Sequence, residues 1–163
     1  MWGLPVVYNV EVTRGEHQSV ASKDRKSQQS SRLKGNRPDL MIRAYFRNKW
    51  DEVTYIESSK WQTSDQKIFD DHNKLVRLTL DGFQYLLKKY VKDVLRDNFI
   101  GFGINIAGEY FVLHRLIRKN EVNFYLPVSR AKIPLSKEMV DEVKNFIYIL
   151  LILRISIIFF MKC

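Results

Sequence analysis

Cysteine is almost missing from this 163-residue chain: the only one, Cys163, is its last residue. Neither an intrachain disulfide nor a CxxC zinc site can be built from one thiol. Glycine and proline are also sparse, at seven and four, which excludes collagen-like and Pro-rich architectures. No basic segment followed by an apolar core stands at the N-terminus, so no secretory signal is expected and an intracellular, nuclear or cytoplasmic, setting is. GxxxxGK[ST], GxSxG and HExxH are absent, which removes P-loop, hydrolase-elbow and zincin readings. Gly101-Phe102-Gly103 lacks the last glycine of a dinucleotide fingerprint and reads as strand packing.

What is present is apolar and basic. Hydrophobic residues make up 45% and aromatics 13%, so the chain is not wholly disordered, and one domain of this length needs no staple to fold. Lys and Arg total 27 against 18 Asp and Glu, a net charge of +9. That balance favours a polyanionic partner, nucleic acid or an acidic membrane surface.

The pattern divides the chain into 1–36, 37–154 and 155–163. Residues 4–13 read as a short strand, and Glu16–Asn36, rich in Ser, Gln, Lys and Arg, as either a solvated helix or a basic linker. Leu40–Arg47 and Glu52–Glu57 form an expected antiparallel pair about an Asn48-Lys49 turn. Thr63, with Gln66 as capping-box partner, is expected to open a helix carrying Ile68, His72, Leu75, Val76, Thr79, Phe83, Leu86, Leu87 and Tyr90 at three- and four-residue spacing. Three strand-like runs follow: Ile100–Ile106, Tyr110–Arg118 and Val122–Val128. In the first, the even positions are large and apolar. Gly101, Gly103 and Asn105 leave the other face small enough for a helix or ligand to approach. Ser136 is expected to cap a last helix buried through Val140, Val143, Ile147, Leu150 and Leu151. The fold class is α+β: a mostly antiparallel sheet of about five strands with two main helices.

The C-terminus carries eight apolar residues, Phe146–Leu153, then Arg154, then a second apolar run to Met161. Sixteen helical residues span about 24 Å against a hydrocarbon core of about 30 Å, and a central arginine costs about 2.5–3.5 kcal/mol on insertion. Core packing, an oligomer contact and membrane association through 146–161 are the alternatives.

The chemistry-bearing residues gather around one strand pair. Pro38-Asp39 opens its first strand, and Glu57 closes its second, followed by Lys60. Strands about 4.8 Å apart bring such carboxylates together. Two carboxylates and a lysine suit Mg²⁺-assisted phosphodiester cleavage: hard oxygens hold the ion, which activates a water, and the lysine offsets charge on the phosphate. The plainer reading makes Arg37–Asp39 a turn and Glu57 a solvated strand end.

Asp39, Glu57 and Lys60, in the order strand, strand, helix, strand, resemble the core of the PD-(D/E)xK nuclease superfamily. The runs Arg37-Pro38-Asp39, Tyr55–Lys60 and Asp71–Leu75 are similar to nuclease-like domains of large multicopy fungal families, related to domains of Crinkler-type effectors. The resemblance spans about residues 14–154. It implies a restriction-endonuclease-like core, Asp39 and Glu57 as ligands of Mg²⁺ or Mn²⁺, Lys60 as the catalytic lysine, and Glu16, on an N-terminal helix, as a helper. Its partner would be nucleic acid. Arg37, with Lys88, Lys89 and Lys92 near the end of the first long helix, is a candidate for the surface that receives it; the plainer reading of the three lysines is a solvated helix end that suits the dipole. Here Glu57 and Lys60 are three apart where the family pattern has two. The strand must therefore bulge near Ser58-Ser59 or end before Lys60. A domain of the same fold that binds without cutting is the alternative.

His72 reads as a packed histidine, His17 and His114 as isolated, and Asp70-Asp71 as lacking a second acidic cluster.

Overall fold

The computed structural model describes residues 9–28, 34–46, 48–60, 62–90 and 100–162. Lys92 and residues 4–8 of the expected first strand lie outside them. Nine elements follow in order: β1 (Val10–Arg14), α1 (Val20–Ser27), β2 (Leu40–Phe46), β3 (Lys49–Ser59), α2 (Asp65–Tyr90), β4 (Ile100–Ala107), β5 (Tyr110–Lys119), β6 (Val122–Lys132) and α3 (Val140–Lys162). Among the described residues the fold is α+β, with six strands and three helices where about five strands and two main helices were expected. The extra helix is α1, so the 16–36 stretch is helical at Val20–Ser27. Ser19 caps it by accepting the Ser22 N–H at 3.1 Å.

One mixed sheet has the order β1-β2-β3-β4-β5-β6. All neighbours are antiparallel except β3 and β4, which α2 joins as a parallel pair. The parallel step follows from the 26-residue helix between them, because a chain leaving one strand end must return to the other before pairing in parallel. The β4–β5 and β5–β6 turns are tight two-residue hairpins, in which Gly108, Asn120 and Glu121 have positive φ.

Period-two alternation assigns the faces. Gly101, Gly103 and Asn105 of β4 turn toward α2, and the missing side chains are what let the helix in. A Cβ on Gly103 would collide with Thr79 and Tyr125, and one on Gly101 would press on Phe83. Phe102 and Ile104 turn to the opposite face, where Ile56, Leu113 and Ala131 meet Ile149, Leu153 and Ile157 of α3. On the α2 side, Met41, Tyr55, Leu75 and Leu78 form a second cluster and Phe83, Leu86, Leu87 and Leu116 a third. Each fully buried leucine contributes about 1.5–3 kcal/mol. Gly82 weakens the helix locally but seats Tyr55, whose ring lies where a Cβ would be.

Three boundary expectations change. Ser64, not Thr63, caps α2, accepting the Lys67 N–H at 3.3 Å, while the Thr63 hydroxyl donates to the Lys60 carbonyl at 2.6 Å. Gln66 accordingly reaches forward to Asp70 instead of back to the cap. Ser136 opens a turn, and α3 starts at Val140. The buried stripe of α3 is Phe146, Ile149, Leu153 and Ile157, whereas Val140, Ile147, Leu150 and Leu151 are exposed. Nearly every position from 146 to 153 is apolar, so periodicity could not choose the stripe; contact with the sheet does. The segment 155–162 continues α3 through Arg154 instead of forming a separate tail. Among the described residues, no helix is long and apolar enough to cross a membrane.

Candidate functional site

Leu40 pairs with Ile56 across β2 and β3, so one further step of the same register sets Asp39 opposite Glu57. Asp39 Oδ2 accepts the Ser58 backbone N–H at 2.8 Å, which fixes that carboxylate at the strand end. Asp39 itself is exposed, while Glu57 is 1% exposed. The solvated-strand-end reading of Glu57 therefore fails. Alternation turns Glu57, like Tyr55, toward α2, and the helix covers it.

Lys74, well inside α2, donates to Glu57 Oε2 at 2.8 Å. The other oxygen, Oε1, is buried with no hydrogen-bond partner. Burial pushes the Glu57 carboxyl up to about 7; Lys74 pulls it down, and Asp39 and Asp71 push it up. Asp71 is buried on the same helix, where it accepts from the Ser59 hydroxyl at 2.9 Å and from the Lys67 ammonium. Lys67 is held charged first by Asp71, with further help from Asp39 and Glu57. Three carboxylates thus share one neighbourhood, with two lysines set among them by the i, i+3 and i, i+4 geometry of α2.

Lys60 is not one of those lysines. β3 ends at Ser59, the second of the two ways a three-residue spacing can be accommodated, and Lys60 is exposed just beyond it. Among the described residues, its ammonium makes no ion pair with either carboxylate. Glu16 sits exposed in the turn between β1 and α1, not on a helix. Its neighbour Gly15 packs against the Pro38 and Asp39 backbone, so Glu16 is at the same end of the sheet. Arg37 is exposed beside buried Pro38.

The proposed phosphate-facing lysines divide. Lys88 is exposed near the end of α2. Lys89 is tied to Asp51 at 2.5 Å and lies 4.8 Å from the Tyr90 ring centre. Burial opposes its charge, but the Asp51 and Tyr90 hydrogen bonds outweigh that and raise its pKa. Both belong to the far end of α2, away from Glu57.

Sequence reasoning missed the polar seam under α2. Glu57 pairs in register with Asn105, which is buried with Oδ1 unpartnered. Next along the sheet, His114 stacks on Tyr125 at 5.0 Å and meets His72 at 5.4 Å, so the two histidines are neighbours, not isolated groups. Burial, reinforced by His72, lowers His114 to about 4. The spacing Asp71-Lys74 at i, i+3, placed by the helix over the strand that carries Glu57, was the one sequence signal available for this cluster.

For a divalent ion, the donors are hard carboxylate oxygens, and Glu57 Oε1 is an orphaned buried acceptor that an ion would satisfy; in that respect the residues fit. Among the described residues, no group of three or more His, Cys, Asp or Glu gathers for one ion. A scan of family models, a search of curated proteins and a search of solved structures each find no match to this chain, so the functional argument rests on these residues.

Proposed function

We propose that the chain is a metal-assisted phosphodiesterase acting on nucleic acid, in which Asp39 and Glu57 hold Mg²⁺ or Mn²⁺ and Lys74 takes the role expected of Lys60. The observation carrying this reading is the buried, unpartnered Oε1 of Glu57, on a carboxylate opposite Asp39 and bonded to Lys74. The element order supports it too, since β2, β3, α2 and β4 follow one another as strand, strand, helix, strand, the order that carries the PD-(D/E)xK resemblance.

Two protein carboxylates leave most of an octahedral shell to water and substrate oxygens, as Mg²⁺ prefers. Such an ion would supply an acidified water and neutralise charge on the phosphate. Lys74 favours the ionised, ligating form of Glu57 and orients it. Asp71, held by Ser59 and Lys67, fixes the helix against the end of β3. Lys67, more than half exposed, is placed to meet a phosphate oxygen, and the +9 charge draws polyanions in.

A second reading, a nucleic-acid-binding or effector module that does not cut, is favoured by the closed Lys74–Glu57 pair, which already satisfies one ligand oxygen. Incubation of purified protein with DNA and RNA plus Mg²⁺ or Mn²⁺, beside Asp39→Ala and Glu57→Ala, separates the two. Cleavage lost in both variants is expected; cleavage surviving in both removes these residues from the role. Salt-sensitive binding without cleavage by the unaltered chain establishes the second reading. The membrane reading of 146–161 draws no support from α3, whose Ile149, Leu153 and Ile157 are spent on the sheet.

A further inference from the structure

At the hairpin end of β2 and β3, opposite the end that carries Asp39 and Glu57, the molecule has a cleft of about 490 Å³. That is within the range of about 300–1,000 Å³ usual for small-molecule sites. One wall is the hairpin itself. Tyr45 pairs with Trp50 across the strands, their ring centres 5.4 Å apart and tilted by 58°, and the Arg43 guanidinium lies 5.8 Å from the Trp50 ring. The facing wall is the last turns of α2, where Lys89 stands 5.4 Å from the Tyr85 ring. Val20, at the start of α1, closes a third side.

The floor contains two acids, and both are spoken for. Asp51 accepts from Lys89 and the Tyr90 hydroxyl. Glu52 accepts from the Ser19 hydroxyl at 2.7 Å, the Val20 N–H at 2.7 Å and the Tyr55 hydroxyl at 2.9 Å. Asp51 is therefore neutralised by an ammonium, whereas Glu52 keeps its charge but is held by three neutral donors and buried at 8% exposure. Arg43 shares one nitrogen with Glu11 at 2.8 Å. Lys49, exposed on the hairpin, has no ion pair among the described residues. The cleft thus offers an exposed aromatic ring, Tyr45 at 40%, next to half-buried Trp50, and is also lined by Lys49.

We propose that this cleft binds a nucleobase bearing phosphate, as a free nucleotide or as one unit of a single strand. Stacking of a base on an aromatic side chain is worth about 1–3 kcal/mol and tolerates any base. Arg43 and Lys49 complement the attached phosphate as point charges and hydrogen-bond donors. A purely apolar ligand would leave Lys49 unanswered, and inorganic phosphate would leave the rings uncovered. Trp50 and Glu57 are seven positions apart on β3, about 23 Å of extended chain, so the site is distinct from the carboxylate pair and stands whether or not the chain cuts.

Calorimetric titration of the full chain with AMP, adenosine, inorganic phosphate and an unstructured oligodeoxyadenylate tests it. AMP or the oligonucleotide is expected to bind saturably, at least about fivefold tighter than adenosine or phosphate. Lys49→Glu, on an exposed hairpin position, is expected to weaken binding at least about fivefold. Trp50→Ala should weaken it about tenfold, while Trp50→Phe, which keeps a ring, stays within about threefold. Binding confined to AMP identifies a free nucleotide as occupant, and much tighter binding of the oligonucleotide identifies a strand. No saturable heat with either, or affinities unchanged in both Lys49→Glu and Trp50→Ala, overturns the proposal.

Discussion

Lys74 Nζ lies 2.8 Å from Glu57 Oε2, joining the middle of α2 to the end of β3 across 17 positions of sequence. The same carboxylate keeps Oε1 buried and unbonded. That asymmetry, one oxygen neutralised and the other left open, is the feature on which the catalytic reading turns, and it makes the two lysines experimentally separable.

Lys74→Ala is expected to lower Mg²⁺-dependent cleavage about a hundredfold, the scale of losing one positioned electrostatic group. Lys60→Ala should change it less than about threefold, because Lys60 is exposed and outside the ion pair. Initial rates on a labelled oligonucleotide decide this. The reverse ranking would return the role to Lys60.

Glu57 also gives the fold a pH signature. Its folded-state carboxyl sits at about 7, above the ordinary 4.5, so the folded state holds a proton that the unfolded state has released. The stabilisation is fully present below about 4.5 and is lost as pH rises through about 7, an effect of up to about 3 kcal/mol. Glu57→Gln is therefore expected to melt higher than the unaltered chain at pH 8 and to lose that advantage toward pH 4.5. Mg²⁺ that binds the ionised carboxylate should raise the melting temperature at pH 8 and scarcely at pH 5. Thermal melts across pH, with and without Mg²⁺, measure both.

His114 acts in the opposite sense. Burial holds its folded-state value at about 4, below the ordinary 6.5, so the unfolded state takes up the proton first. Stability is lost as pH falls from about 6.5 to about 4, again by up to about 3 kcal/mol. In the unaltered chain the two trends offset each other between pH 4.5 and 6.5. His114→Gln, which cannot titrate, should show stability rising as the solution is acidified through that window, and denaturant unfolding at pH 4.5 and 6.5 reads it directly.

Gly82→Ala would gain about 1 kcal/mol of helix propensity at an exposed site. Here the added Cβ overlaps the Tyr55 ring and displaces a hydroxyl bonded to Glu52 at 2.9 Å. A net loss of about 1–3 kcal/mol is expected from overpacking, visible as a lower denaturant midpoint with an unchanged slope.

Much of this architecture was legible before any fold was known. The alternation in 100–106 announced a two-faced strand with one face stripped for close approach, and Gly101 and Gly103 receive α2 there. The positions of Asp39 and Glu57 at matched strand ends followed from hairpin geometry. The apolar run 146–153 was a different case: with almost no polar residue to break the symmetry, no stripe could be chosen, and the one expected proved to be the exposed face. His72 and His114 are 42 positions apart, and nothing local to either announced that they would meet.

Apart from α1, whose stretch read equally as helix or linker, the chain by itself determined which segments become strands and helices and which strand ends carry acids, because those properties depend on side-chain period and turn chemistry within a few residues. Only the packed molecule decided that Glu57 is buried, that Lys74 and not Lys60 answers it, and that Asp71 joins the cluster. The reason is the parallel return from β3 to β4: it lays α2 across the sheet, and a helix laid over a strand end chooses the partners of that end from residues a dozen or more positions away.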